Sequence, residues 1–412
     1  MPHRPFVLSV LVVALLLPVA ALAQTEPFHL AIVSNLDSND VSILDTNTNT
    51  EVARIPTGPR PFDVAASPDG QFAYVGEDGS GTAPIRIDRI NLVTLAVEDV
   101  LTIGGHDYLT ELEISPDGQW LVAADIYQAT TYIIDTANWA ITGTVVLCPT
   151  CDGQTQQLYN APSFAFSADS QTLYAVTSVN NLVTLVDLPT GTIVATRPTG
   201  TTGNTWTDID RGPGEQVFVT RPSSPGEVVA LDIPGGTHAE LPITQDSVRD
   251  IVLVPSGSDT LVASGSALYA ESPKNPKKPG ERDFLSLFNL RTQVETKIPS
   301  SEALYTLRYN PSTHEIWSVC PGVLGFCVPF FVDVFDLATM TKTATLVGPS
   351  GAAALTRQPA FSPDLGHYYL PLGGLDTVWV VDTTTKQVVA QIPVGTNPRV
   401  VVAQGDVGPH SR

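Results

Sequence analysis

The chain has 412 residues, with 21 Lys and Arg against 42 Asp and Glu and a formal net charge of −21. So acidic a surface repels nucleic acid and anionic lipid and favours solubility and cationic partners. Only 15% of residues are charged and 43% are hydrophobic, the balance of a globular protein with a large core rather than a disordered chain.

The first element reads as a secretory signal. His3 and Arg4 give a short positive start, Phe6 to Leu17 an apolar run that stops at Pro18, and Ala21-Leu22-Ala23 a small-x-small cleavage pattern. The mature chain is expected to begin at Gln24 and to be secreted or periplasmic. The apolar run is too short to span a bilayer comfortably. No Cys follows the cleavage point to carry a lipid anchor, and no membrane insertion is expected. Three segments result: a signal peptide over 1–23, one domain over 24–403 and a disordered tail over 404–412.

Short strand signals then recur at a fixed period. Ala31-Ile32-Val33-Ser34-Asn35, Val41 to Thr46, Glu51 to Pro56 and Phe62 to Ala66 are β-rich runs bounded by turn residues; Ser67-Pro68-Asp69-Gly70 closes the set. The set reopens at Tyr74-Val75, Leu121-Val122, Leu173-Tyr174, Val217-Phe218, Leu261-Val262, Ile316-Trp317 and Tyr368-Tyr369. Four strands per period of roughly 40–55 residues is the signature of propeller blades. The expected fold is therefore all-β, a propeller of four-stranded antiparallel blades, with eight strand sets.

Each third strand ends in Asp45, Asn91, Asp135, Asp187, Asp232, Asn289, Asp336 or Asp382. Carboxylate chemistry would not tolerate Asn so readily, whereas both side chains can accept backbone N–H bonds and set a turn. These are read as turn residues. Together with Ile-Pro-x-Gly and Ser-Pro-Asp-Gly, this pattern resembles the YVTN-repeat propellers of the quinoprotein-type repeat superfamily. The resemblance covers nearly the whole mature chain, implies fold more than function, and leaves seven blades as the alternative count. The last apolar run, Arg399 to Val402, matches a first strand and is expected to pair beside Ala31-Ile32-Val33, closing the ring and hiding two edges.

Blade topology sorts the loops onto two faces. The regular 1–2 and 3–4 turns share one face; the irregular 2–3 and interblade loops share the other, which is the expected binding face because loops on a rigid scaffold carry function. It holds His106, Tyr108 and all four cysteines, read as two local disulfides, Cys148–Cys151 and Cys320–Cys327, in an oxidising compartment. A Pro-rich insertion carries the basic cluster Lys274, Lys277, Lys278 and Arg282. The scattered histidines do not readily build a multi-histidine metal centre, and no C-x-x-C-H, G-x-S-x-G or phosphate loop occurs.

First strands should line the channel. Asp63, Glu111, Glu113, Asp208, Asp210 and Asp250 share one side, with Arg308 the one clear base among them. Arg249, Arg357 and Arg399, beside Phe62 and Tyr305, stand at the mouth and suit an anionic or zwitterionic small ligand. Asp63, Glu111, Asp208 and Asp250 occupy equivalent positions and are the candidate metal ligands, Ca²⁺ being the ion for such an oxygen set. The functional expectation is a monomeric, non-catalytic scaffold that binds a protein or a small ligand and needs no cofactor. The alternatives are a Ca²⁺-dependent lactonase-type hydrolase and the propeller subunit of a periplasmic dehydrogenase.

Overall fold

The computed structural model describes residues 28–78, 84–104, 109–125, 130–147, 162–177, 180–200, 208–221, 226–244, 248–256, 259–266, 283–301, 303–320, 329–349 and 358–406. Its strands form eight four-stranded antiparallel sheets, and among the described residues the helical content is two short 3₁₀ turns. Eight blades, not seven, make the ring.

Turn chemistry explains why this sequence makes hairpins at that spacing. The residue four places after each turn Asp or Asn has a left-handed backbone: Asn49, Leu95, Trp139, Gly191, Gly236, Gln293, Met340 and Lys386, with φ between 50° and 68°. Glycine fills two of the eight, so six turns carry a conformation that L-residues rarely adopt. The preceding carboxylate or amide compensates. Asp45 Oδ1 accepts the N–H groups of Asn47 and Thr48, and Asn91, Asp135, Asn289, Asp336 and Asp382 do the same two and three residues on. Those backbone bonds hold the Asp135, Asp336 and Asp382 carboxyls below the usual carboxylate range.

The Ser-Pro-Asp-Gly turns are equally local. Ser67 Oγ donates to Asp69 Oδ1 at 2.6 Å and accepts the Phe72 N–H at 2.9 Å, and Ser115, Ser167 and Ser362 repeat both bonds. Ile-Pro-x-Gly has a different cause. The Gly58 N–H donates to buried Glu77 Oε1 at 2.6 Å, and a Cβ on Gly58 would meet that carboxylate at 1.9 Å.

Packing runs from blade to blade rather than within one. Trp317, Val319 and Val334 of one blade meet Phe361, Tyr368 and Leu370 of the next in a single buried cluster. The seam is built as expected: Ala31 pairs with Ala403, Ile32 with Val402, Val33 with Val401 and Ser34 with Val400. Gln404 follows that strand and is ordered. Its side chain accepts the N–H groups of His29 and Leu30 and donates to the Gly70 carbonyl at 2.7 Å. The first residues assigned to the tail therefore belong to the seam, and residues 407–412 lie outside the described residues.

Candidate functional site

The inner strands are Pro61–Ala66, Leu109–Ile114, Ser163–Phe166, Asp208–Arg211, Val248–Ser256, Thr306–Asn310, Ala360–Phe361 and Pro398–Ala403. Each has one edge bonded to its own blade and one edge facing the axis, whose N–H and C=O groups need other partners. Register against the second strands sorts their side chains into two rings. The upper ring, toward the irregular-loop face, carries Asp63, Glu111, Ser163, Asp208, Asp250, Thr306 and Val400. The lower ring, toward the short-turn face, carries Ala65, Glu113, Ala165, Asp210, Val252, Arg308, Ala360 and Val402.

Carboxylates of the upper ring serve the open edges. Asp63 is 1% exposed; its Oδ1 accepts its neighbour Val64 N–H and its Oδ2 accepts Leu112 N–H of the next blade at 3.0 Å. Asp208 likewise accepts Ile209 N–H and, across the blade boundary, Ile251 N–H at 3.0 Å. Asp250 accepts Leu307 N–H at 2.6 Å, and Asp210 of the lower ring accepts Leu253 N–H at 3.2 Å. The bonds to Leu112, Ile251, Leu307 and Leu253 each staple one blade to the next. Among the described residues no group of three or more His, Cys, Asp or Glu side chains is placed to hold a metal ion. The structure thus distributes Asp63, Glu111, Asp208 and Asp250 around the ring and gives three of them backbone amides as partners.

Burial outweighs these bonds electrostatically. It pushes the Asp208 carboxyl up to about 6, opposed by bonds from Asp250 and the Ile251 amide. It pushes Asp210 up to about 7. Glu113 is raised well above its ordinary range, first by burial and then by Glu111, Asp63, Asp208 and Asp210.

Glu113 differs in its partners. It is 6% exposed, and its Oε2 has no hydrogen-bond partner. It lines a small chamber of about 30 Å³ together with Arg308, Gln358 and Asp406. Arg308 sits four blades round the ring from Glu113, across the axis. Its guanidinium donates to the carbonyls of Leu307 at 2.9 Å and Pro359 at 3.3 Å and reaches no carboxylate among the described residues. The Tyr368 hydroxyl nearby is also buried and without a partner; it feels the charges of Arg308 and Asp250.

A second chamber of about 440 Å³ adjoins the first, sharing Arg308, Ala360 and Asp406. Its walls include Phe28, Leu253, Leu307, Tyr309, Pro311, Phe361 and Leu365, with Asp210, Asp406 and Arg308 as charged groups. Tyr309 and Phe361 stand at or next to the ends of inner strands, Pro311 and Leu365 follow them, and Phe28 precedes the seam strand, so the chamber opens at the short-turn face. Phe28 packs against Gly70 and Gly405, where a Cβ would meet its ring at 2.3 and 2.4 Å.

This is the opposite mouth from the one the loop pattern singles out. Phe62, Tyr305 and Arg399 are half-buried at the irregular-loop end, whereas the Arg249 side chain, Arg357, His106 and Tyr108 lie outside the described residues. Cys320 ends the strand Glu315–Cys320 and is buried; Cys148, Cys151 and Cys327 lie outside the described residues. Glu113, Asp210 and Arg308 were visible in sequence as channel lining. Phe28, Tyr309 and Phe361 carried no signal, because the ends of different strands bring them together.

The fold and channel define the class: this protein is an eight-bladed β-propeller with a buried acidic ring. No family model matches the chain, and no curated protein matches it in sequence. Its fold is similar to dihydro-heme d1 dehydrogenase NirN in complex with DHE, at 15% identity and TM-score 0.69, over 94% of this chain and 78% of that one. It is also similar to AztD from Citrobacter koseri in its apo form, at 10% identity and TM-score 0.59, over 92% and 98%. Hydrazine synthase from Kuenenia stuttgartiensis matches at 16% identity and TM-score 0.53, over 87% and 96%. At such identities the likeness is one of fold alone.

Proposed function

We propose that the protein is an exported, non-catalytic binding propeller that holds a small ligand in its channel, entered from the short-turn face. The observation that carries this reading is the 440 Å³ chamber, apolar and aromatic in its walls, with Arg308 at its inner end. Ligand pockets combine that size range, roughly 300–1,000 Å³, with mostly apolar lining and a few convergent polar groups. Arg308 suits a carboxylate, since its planar fork can bind both oxygens.

Thermal-shift and native mass measurements on the chain starting at Gln24, with a panel of apolar carboxylates, test the reading. Binding should raise the melting temperature of the parent and fall at least tenfold in Arg308→Gln and Tyr309→Ala. Equal binding by parent and both variants would place the ligand elsewhere, at the irregular-loop mouth near Phe62, Tyr305 and Arg399. Intact mass of protein from an exporting host should show a chain beginning at Gln24; retention of residues 1–23 would sink the export reading.

A further inference from the structure

Resting on that channel reading, we infer that the ligand is a small zwitterion with an apolar body, its ammonium held by Glu113 and its carboxylate by Arg308. The two chambers differ in what they admit. A volume of about 30 Å³ exceeds the roughly 10–15 Å³ that one water requires, so the Glu113 chamber takes a water-sized group. An ammonium is such a group, and the adjoining 440 Å³ chamber accommodates the rest of the molecule.

Partner accounting gives the chemistry. Asp63, Asp208, Asp210 and Asp250 each give at least one oxygen to a neighbouring blade's amide. Glu113 Oε2 is buried and bare, and the Glu113 side chain lines the cavity that Arg308 also lines. A buried polar atom left unpaired is costly, and a donor in the cavity recovers that cost. Arg308 spends two donors on carbonyls and pairs with no described carboxylate. Acid and base therefore stand on one cavity without meeting, an arrangement that a molecule carrying both charges completes.

Burial is the largest cost of ionising Glu113, and Glu111, Asp63, Asp208 and Asp210 add to it as like charges, while Arg308 lines the same chamber. A bound ammonium favours the ionised carboxylate, so binding should release a proton wherever free Glu113 is protonated.

Calorimetry with four probes decides the matter: L-phenylalanine, 3-phenylpropanoate, phenethylamine and N-acetyl-L-phenylalanine. The amino acid should bind at least tenfold more tightly than each of the other three. Its binding should release a proton, read from titrations in buffers of different ionisation enthalpy. Glu113→Gln, nearly isosteric, should bind phenylalanine no better than phenylpropanoate and release no proton. Arg308→Lys, checked by its melt, should weaken all three carboxylates and leave phenethylamine unchanged. Phenylpropanoate binding as well as phenylalanine, with Arg308→Gln abolishing both, would overturn the zwitterion and leave the channel reading standing. Binding of none of the four would overturn the zwitterion, and the wider carboxylate panel would then judge the channel separately.

Discussion

Asp63 and Glu113 sit on neighbouring inner strands, one ring apart, and both carboxylates are shut away from solvent at 1% and 6% exposure. The first spends its oxygens on Val64 N–H and, across the blade boundary, on Leu112 N–H. The second leaves an oxygen without a partner and lines a cavity. Burial and charge alone would class them together. What separates them is the open edge of the innermost strand: an acid that satisfies that edge is architecture, and an acid that does not is available for a ligand.

The severest break is to remove one member of both rings. Pro398–Ala403 supplies Val400 and Val402 and pairs with Leu30–Asn35 along the seam. Deleting residues 395–412 strips a whole inner strand and exposes a hydrophobic edge. The shortened chain should show no cooperative thermal melt by circular dichroism. A melt equal to that of the full chain would refute closure by this strand.

Substitution within the rings comes next. Asp63→Ala and Asp208→Ala each leave an amide of the next blade without its acceptor, a loss of about 1–3 kcal/mol by denaturant unfolding. Glu113→Gln removes a buried charge and strands no amide, so its stability at pH 8 should match or exceed the parent. Asp63→Ala without effect, or Glu113→Gln as damaging as Asp63→Ala, would erase the distinction between the rings.

These contrasts show where sequence reading succeeds and where it stops. The blade period was legible because its signals are local. Asp45 and counterparts such as Asn91 bond residues two and three places on, and Ser67 answers Asp69 within one turn. The seam was legible too, since Arg399 to Val402 repeats the pattern of Phe62 to Ala66. The role of Asp63 was not, because its partner Leu112 lies 49 residues away on another blade. Ring symmetry places four acids at equivalent positions but does not tell which of their oxygens backbone amides consume. Nor could loop length find the chamber: Phe28 and Gln404 converge on it from the seam and Tyr309 from an inner strand.

Titration sharpens the same comparison. Burial holds Asp208 at about 6 and Asp210 at about 7, and Glu113 is also raised. Outside the channel, burial and the neighbouring Asp88 put Glu77 at about 8. A carboxyl with a raised folded pKa contributes stability below its unfolded value near 4, and that contribution is lost as pH rises through the folded value. The melting temperature should therefore fall from about pH 5 to pH 8. Glu113→Gln and Asp210→Asn should each flatten the decline. Below about pH 4 the slope reverses, as the turn carboxyls of Asp135, Asp336 and Asp382, held low by backbone bonds, take up protons. A melting temperature rising from pH 5 to pH 8 would contradict the buried acidic ring.

The smallest expected effect concerns the chain's end, where architecture and chamber meet. Gln404 closes the seam through three hydrogen bonds, to the His29 and Leu30 N–H groups and the Gly70 carbonyl, and its backbone N–H donates to the Leu30 carbonyl. It also lines the 440 Å³ chamber beside Phe28. Those bonds are part-buried, so Gln404→Ala should cost about 1–2 kcal/mol, less than Asp63→Ala. The same substitution releases the hold on the segment that carries Phe28, so ligand affinity at the short-turn mouth should fall with stability. Deleting residues 407–412 removes none of these bonds and should leave the melt unchanged. If that deletion and Gln404→Ala were equally silent, Gln404 would be part of the tail and the ordered seam would end at Ala403. If Gln404→Ala lowered stability while leaving carboxylate binding intact, Phe28 would be a seam residue and the chamber would be closed by the strand ends alone.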